Sequence, residues 1–137
     1  MIVGVGTDLL DVARMARELA REGAGFRDDV FTPAEVAYCE SKAHPARHLA
    51  ARFAAKEACW KALGGAGPEG LSLREVEVLR PAEGPPGLVL TGRAKAIADA
   101  LGVTRALVSL AHTPTLASAS VVLEGGTPTE RTERRAG

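Results

Sequence analysis

Helical spacing fills the first half of this 137-residue sequence, and extended, alternating segments dominate the second. That order confines the fold. Strands alternating with helices throughout would build a parallel, doubly wound sheet, whereas helices first and most strands afterwards predict an α+β domain with helices packed on an antiparallel sheet. Ile2 to Gly6 reads as a short buried strand ended by Thr7 and Asp8. A helix follows from Asp11 to about Glu22, where Gly23 and Gly25 stop it; Val12, Met15 and Leu19 share one side, and Arg14, Arg17 and Arg21 another. Thr32 as N-cap, Pro33 at the first helical position and Glu35 three residues after the cap start a second helix, which runs to about Ser41. The third and longest begins near Pro45 and continues, alanine-rich and free of glycine, to Leu63, with Gly64 as its C-cap.

Beyond the glycine-rich GGAGPEG the period changes. Leu71 to Leu79 alternates like a strand, Leu88 to Leu90 is extended, and Thr91 to Leu101 is a short amphipathic helix ended by Gly102. Two strands, Arg105 to His112 and Thr115 to Glu124, complete the sheet around Thr113-Pro114. A single domain over residues 1–124 is expected, with 125–137 a polar, disordered tail. A chain of this size buries roughly two thirds of its unfolded surface, so it needs no disulfide or metal to fold.

The charge sums to zero, 17 basic residues against 17 acidic, which leaves no whole-protein field to hold nucleic acid. The distribution is uneven. Residues 1–40 carry eight acids against four bases, and residues 41–63 carry five bases against the single acid Glu57. That basic segment is either a solvated face or a surface for a small polyanion. Cys39 and Cys59 lack metal-site spacing and indicate a reducing compartment. The apolar N-terminus has no basic leader and reaches Asp8 early, so neither a signal peptide nor a membrane span is expected, and the location is cytoplasmic.

The long helix contains a conflict. With Leu49 at zero and about 100° per residue, Phe53, Trp60 and Leu63 fall within roughly 40° of it and define a buried stripe. Lys56 lies near ~−20° and Glu57 near ~80° on the same count, inside the stripe and on its border. Lys56 is therefore paired, liganded or snorkelling, and Glu57 is a ligand or the partner of Lys61 one turn on. Asp8, directly after a strand, is a turn residue or a ligand aimed into a cleft. Two carboxylates on a strand end and a helix are what Mg²⁺ prefers, with water and substrate phosphate completing the shell. Arg52, Lys61 and the glycines Gly64, Gly65 and Gly67 form a candidate anion-binding set, although glycines at a helix C-terminus do not make a P-loop. His112 ends a sheet strand and is structural or functional.

Three separated strings, VGTDLLDVARM, RFAAKEACWKALG and SLAHT, together resemble the holo-acyl-carrier-protein synthases, the short single-domain 4'-phosphopantetheinyl transferases. The resemblance spans most of residues 1–124, and Phe53 to Lys61 is its most specific part. It implies a Mg²⁺-dependent transfer of the phosphopantetheine arm of coenzyme A to a serine of apo acyl carrier protein. Asp8 and Glu57 then match the metal ligands and Lys61 the contact to the coenzyme phosphates, which makes these three the catalytic set. Arg52 and His112 match further coenzyme-site positions, to which Gly64 of the anion-binding set is added as a coenzyme-binding candidate, and Arg14, with Arg21 on the same face, matches the carrier-protein surface. It also implies a homotrimer with sites between subunits, which suits a chain of 4% aromatic content with little room for a cofactor-sized pocket of its own. Ala51, where the family has glycine, and SLAHT in place of SLSHT are departures. The alternative is a non-catalytic module that binds coenzyme A or the carrier protein. It would need no carboxylates beside its phosphates.

Overall fold

The computed structural model describes residues 1–65 and 72–126. Strand β1 (Ile2–Asp11) leads into helix α1 (Val12–Val30), then α2 (Pro33–Glu40) and α3 (Pro45–Ala62). A single 3-10 turn, Leu73–Glu75, precedes β2 (Val76–Leu79) and β3 (Gly87–Leu90), followed by α4 (Gly92–Ala100), β4 (Val103–His112) and β5 (Leu116–Gly125). The main sheet has the order β1-β5-β4, antiparallel throughout, and β2-β3 form a separate antiparallel ribbon. The expected α+β class with helices on an antiparallel sheet is what the chain adopts.

Small residues bring α3 close to the sheet. A Cβ at Gly4 would collide with the carbonyl of Ala62, and one at Gly6 with the carbonyl of Ala58. The glycines in GVG thus let helix backbone lie against strand backbone. Ala54, Ala55 and Ala58 on α3, with Ala117 and Ala119 on β5, are buried in the same layer. Gly4, Gly6, Asp8 and Leu10 alternate toward the helix while Val5, Thr7 and Leu9 face away, and this register aims Asp8 at α3.

Four expectations require correction. β1 does not stop at Gly6: Thr7 to Asp11 continue the ladder with β5, so Asp8, opposite Ala119, is inside a strand. α1 does not stop at Gly23, because a helical glycine costs only about 1 kcal/mol and Phe26, Val30 and Phe31 beyond it bury into the core formed by α1, α2 and the first half of α3. α3 is covered on nearly every side, not along one stripe, with eleven of its residues from Leu49 to Ala62 buried. The stretch expected as one strand up to Leu79 contains the 3-10 turn and only a four-residue strand. Gly125 belongs to β5 and donates to Met1 O at 2.9 Å; Gly67, Leu71 and the tail from 127 lie outside the described residues.

The N-terminus of α2 forms as expected, with a full capping box between Thr32 and Glu35. Glu35 does more than cap. Its carboxylate, 1% exposed, meets the fully buried Lys56, whose Nζ donates to Glu35 Oε1 at 2.7 Å, Leu73 O at 3.0 Å and Val76 O at 2.6 Å. Glu35 also accepts the backbone N–H groups of Thr32 and Val78, each at 2.9 Å. The pair joins α2, α3 and the entry to β2, and resolves Lys56 as paired.

Both cysteines are buried and unpaired. Burial pushes the Cys39 thiol up to about 11 and the Cys59 thiol up to about 12. Because the thiolate is the reactive form, a thiol-specific reagent at pH 8 should label neither site in the native protein and both after denaturation. Rapid native labelling of Cys39 would show that α2 opens readily, and of Cys59 that α3 does. Among the described residues no helix is long and apolar enough to cross a membrane.

Candidate active site

The register of β1 and the close seat of α3 place Asp8 and Glu57 on one cavity of about 430 Å³. Arg14 and Glu18 of α1 form its polar rim, and Met15, Phe26 and Phe53 its apolar wall. Lys61, one turn beyond Glu57, donates from Nζ to Asp8 Oδ1 and to Thr7 O, both at 3.1 Å. The ion pair of Lys61 is thus with Asp8, and of the two readings of Glu57 the helix pair with Lys61 is not the one that forms. Lys61 remains 54% exposed, open to a ligand.

Burial is the main force holding the Glu57 carboxyl above its usual range; the nearby Asp8 charge raises it further, and Lys61 acts the other way. Two carboxylates whose charges oppose one another, with a lysine at one side, form a site that gains from a cation. Among the described residues there is no group of three or more His, Cys, Asp or Glu that could form an all-protein metal cage. Two hard oxygen donors fit Mg²⁺, which keeps several waters and takes phosphate oxygens as further ligands.

The anion-binding set separates into two places. Arg52 lies nine residues before Lys61 along α3, roughly 13 Å of helix rise, in a basic cluster around Tyr38. Its guanidinium carbon is 4.2 Å from the Tyr38 ring centroid, Lys42 Nζ is 4.6 Å from the same point, and the His48 ring stands edge-on to both Tyr38 and His112. Arg52 is 3% exposed and its Nε has no hydrogen-bond partner. Such a cation is poised for an anion. His112 also lines, with Leu9 and Ser118, a groove of about 240 Å³.

Gly64 has φ +119° and closes the helix: its N–H reaches Lys61 O at 3.1 Å and that of Gly65 reaches Trp60 O at 3.0 Å. That paired pattern is a Schellman C-cap, which a left-handed glycine makes easy. Arg14 lines the carboxylate cavity, whereas Arg21 is held by Glu18 at 2.8 Å, so the arginine row of α1 is partly neutralised. The sequence did not single out His48, nor Glu35 as the partner of Lys56. His48 precedes Arg52 by one helical turn, and the buried Lys56 demanded an acid; those were the signals that could have found them.

The sequence profile of the 4'-phosphopantetheinyl transferase superfamily matches residues 4–114. A holo-[acyl-carrier-protein] synthase of Koribacter versatilis is 44% identical over 124 residues, covering 90% of this chain and 99% of its own. The crystal structure of the synthase from Neisseria meningitidis superposes with a TM-score of 0.79 at 32% identity, covering 90% and 99% of the two chains. That of the Helicobacter pylori enzyme in complex with coenzyme A gives 0.76 at 27% identity, covering 88% and 99%. With matches of this extent in sequence and in structure, the chain belongs to the holo-[acyl-carrier-protein] synthases of the 4'-phosphopantetheinyl transferase superfamily.

Proposed function

We propose that this chain moves the 4'-phosphopantetheine arm of coenzyme A onto a serine of apo acyl carrier protein, with Mg²⁺ held by Asp8 and Glu57. The observation that carries the reading is the pairing of these two carboxylates on one cavity beside Lys61. The serine oxygen forms a bond to the β-phosphorus of the coenzyme as the pyrophosphate P–O bond breaks, and adenosine 3',5'-bisphosphate leaves. Catalysis of this kind is mostly positioning and charge neutralisation. When bound, Mg²⁺ would withdraw charge from the attacked phosphate and stabilise the leaving one.

The protein's own side chains divide the remaining work. Lys61 presents a point charge to the same oxygens. The serine proton goes to a base, for which the Glu57 carboxylate, acting directly or through a water, is the candidate. Arg52 and His112 hold coenzyme phosphates at one place and Lys61, with Gly64 three residues on, at the other, while Arg14 at the cavity rim, with Arg21 further along α1, receives the acidic carrier protein. Residues 1–124 act as one domain, and free buried thiols suit a cytoplasmic location.

We further propose a homotrimer with coenzyme sites between subunits. The outer sheet face supports it: Val5 is 62% and Leu9 65% exposed, and Val5, Val122 and Leu107 lie in one register row. Exposed apolar rows of this kind mark an interaction surface. Sedimentation should give three times the chain mass; a fully active monomer would remove the proposal.

Incubation with apo carrier protein, coenzyme A and Mg²⁺ should raise the carrier protein's mass by one phosphopantetheine, and a chelator should prevent it. Retained coenzyme binding without any mass gain would favour a non-catalytic module instead.

A further inference from the structure

His48 has no part in the chemistry assigned above, yet it stands in the middle of the basic cluster. It leaves α3 one turn before Arg52, on the same face. Its ring centroid lies 5.0 Å from that of His112 and 6.2 Å from that of Tyr38, edge-on to each. The charged groups around it come from three directions: Arg47 and Arg52 from α3, Lys42 from just beyond α2, and His112 from the end of β4. All four are basic, and Tyr38 of α2 is already covered by Arg52 and Lys42. An assembly of like charges around a half-buried ring, with an unpartnered guanidinium nitrogen beside it, is incomplete without an anion.

We propose that His48 is a further substrate-binding residue, which in its protonated form joins Arg52 and His112 in holding a phosphate of coenzyme A. The proposal rests on the reading that this cluster takes the coenzyme phosphates. Its consequence is a linkage. Burial first, then the four basic neighbours, hold the free ring below its ordinary histidine range, which favours its neutral form. A bound phosphate reverses that balance and draws a proton from solvent onto the ring, so this contribution to affinity grows as pH falls. The phosphate monoester of the coenzyme titrates nearby and loses charge as pH falls, an effect of opposite sign that is common to wild type and variant.

The test is calorimetric titration of coenzyme A into the full chain and into His48→Phe between about pH 6 and pH 8, in two buffers of different ionisation enthalpy. Phenylalanine keeps a ring against Tyr38 and His112 but cannot take a proton. The wild type should take up more protons on binding than His48→Phe and bind roughly three- to tenfold more tightly at the acid end, with the two converging at the alkaline end. Equal affinity and equal proton uptake would overturn the proposal. Should His48→Phe fail to fold, His48→Asn carries the same comparison. Arg52→Gln and His112→Gln, checked for folding by circular dichroism, separate the two levels: unchanged coenzyme affinity in both would remove the phosphate site itself, whereas losses there with an unchanged His48→Phe reject His48 alone.

Discussion

Glu57→Gln should lower turnover of apo carrier protein by at least about a hundredfold at saturating coenzyme A and Mg²⁺, while the protein stays folded. Glutamine keeps the shape of the side chain and removes the charge that pairs with Asp8 on the shared cavity. The sign of the stability effect follows from the direction of the Glu57 shift. Its carboxyl is raised in the folded chain, so the ionised form works against folding, and neutralising it is stability-neutral or mildly favourable without metal. Mg²⁺ changes the comparison. In the wild type it should raise the melting temperature by binding only the folded state, and Glu57→Gln should lose that rise. Near-normal turnover together with an intact Mg²⁺ response would sink the ligand assignment. Asp8→Asn should behave likewise, with one difference: Asp8 also holds Lys61 at 3.1 Å, so its loss releases the lysine as well.

What the sequence made visible follows from which signals are local. Caps and turns are local: Thr32 and Glu35 named their helix start, and Gly64 its neighbour's end, because each acts on backbone groups within four residues. The class of sheet followed from the order of patterns. Strand length did not, since Thr7, Asp8 and Asp11 extend β1 only because β5 offers a ladder through Leu116, a partner more than a hundred residues away. The continuation of α1 past Gly23 was hidden for the same reason, its driving force being the burial of Val30 and Phe31 against distant elements. A helical stripe presumes one buried face, and an alanine-rich helix lying in the middle of the molecule has no single face. The site divided along the same line. Asp8 and Glu57 stood out as charges in or beside apolar surroundings and Lys61 as part of an anion-binding set, but their meeting needed the β1 register and the close packing at Gly4 and Gly6. His48 carried no such contrast, since it gains its setting from Tyr38 and His112 only in the folded chain.

Lys56→Met should be strongly destabilising, costing about 3 to 5 kcal/mol and lowering the melting temperature by roughly 10 to 20 °C. Methionine fills most of the space, so the loss is electrical. It strands the Glu35 carboxylate, 1% exposed, without its cation, and leaves the carbonyls of Leu73 and Val76 without the ammonium that now reaches them at 3.0 and 2.6 Å. Burial pushes the Lys56 ammonium down from its usual range and Glu35 pulls it back up in part, burial being the larger of the two. A pair of this kind adds little net stability over an apolar replacement, yet breaking it is expensive because one charge remains. The double variant Lys56→Met with Glu35→Gln separates these statements. Glutamine carries no charge but has a single acceptor oxygen, so it can keep only one of the bonds that Thr32 N–H makes to Oε1 and Val78 N–H makes to Oε2, and the double variant should recover part of the loss, not all of it. A strictly additive result would mean that the two groups do not sense each other, and a Lys56→Met protein melting within a degree or two of wild type would show that the carboxylate is protonated or hydrated when the lysine is gone. Glu57, the next residue on α3, supplies a second readout: if the pair also fixes the helix at the active site, turnover in the folded Lys56→Met protein should fall more than coenzyme affinity does.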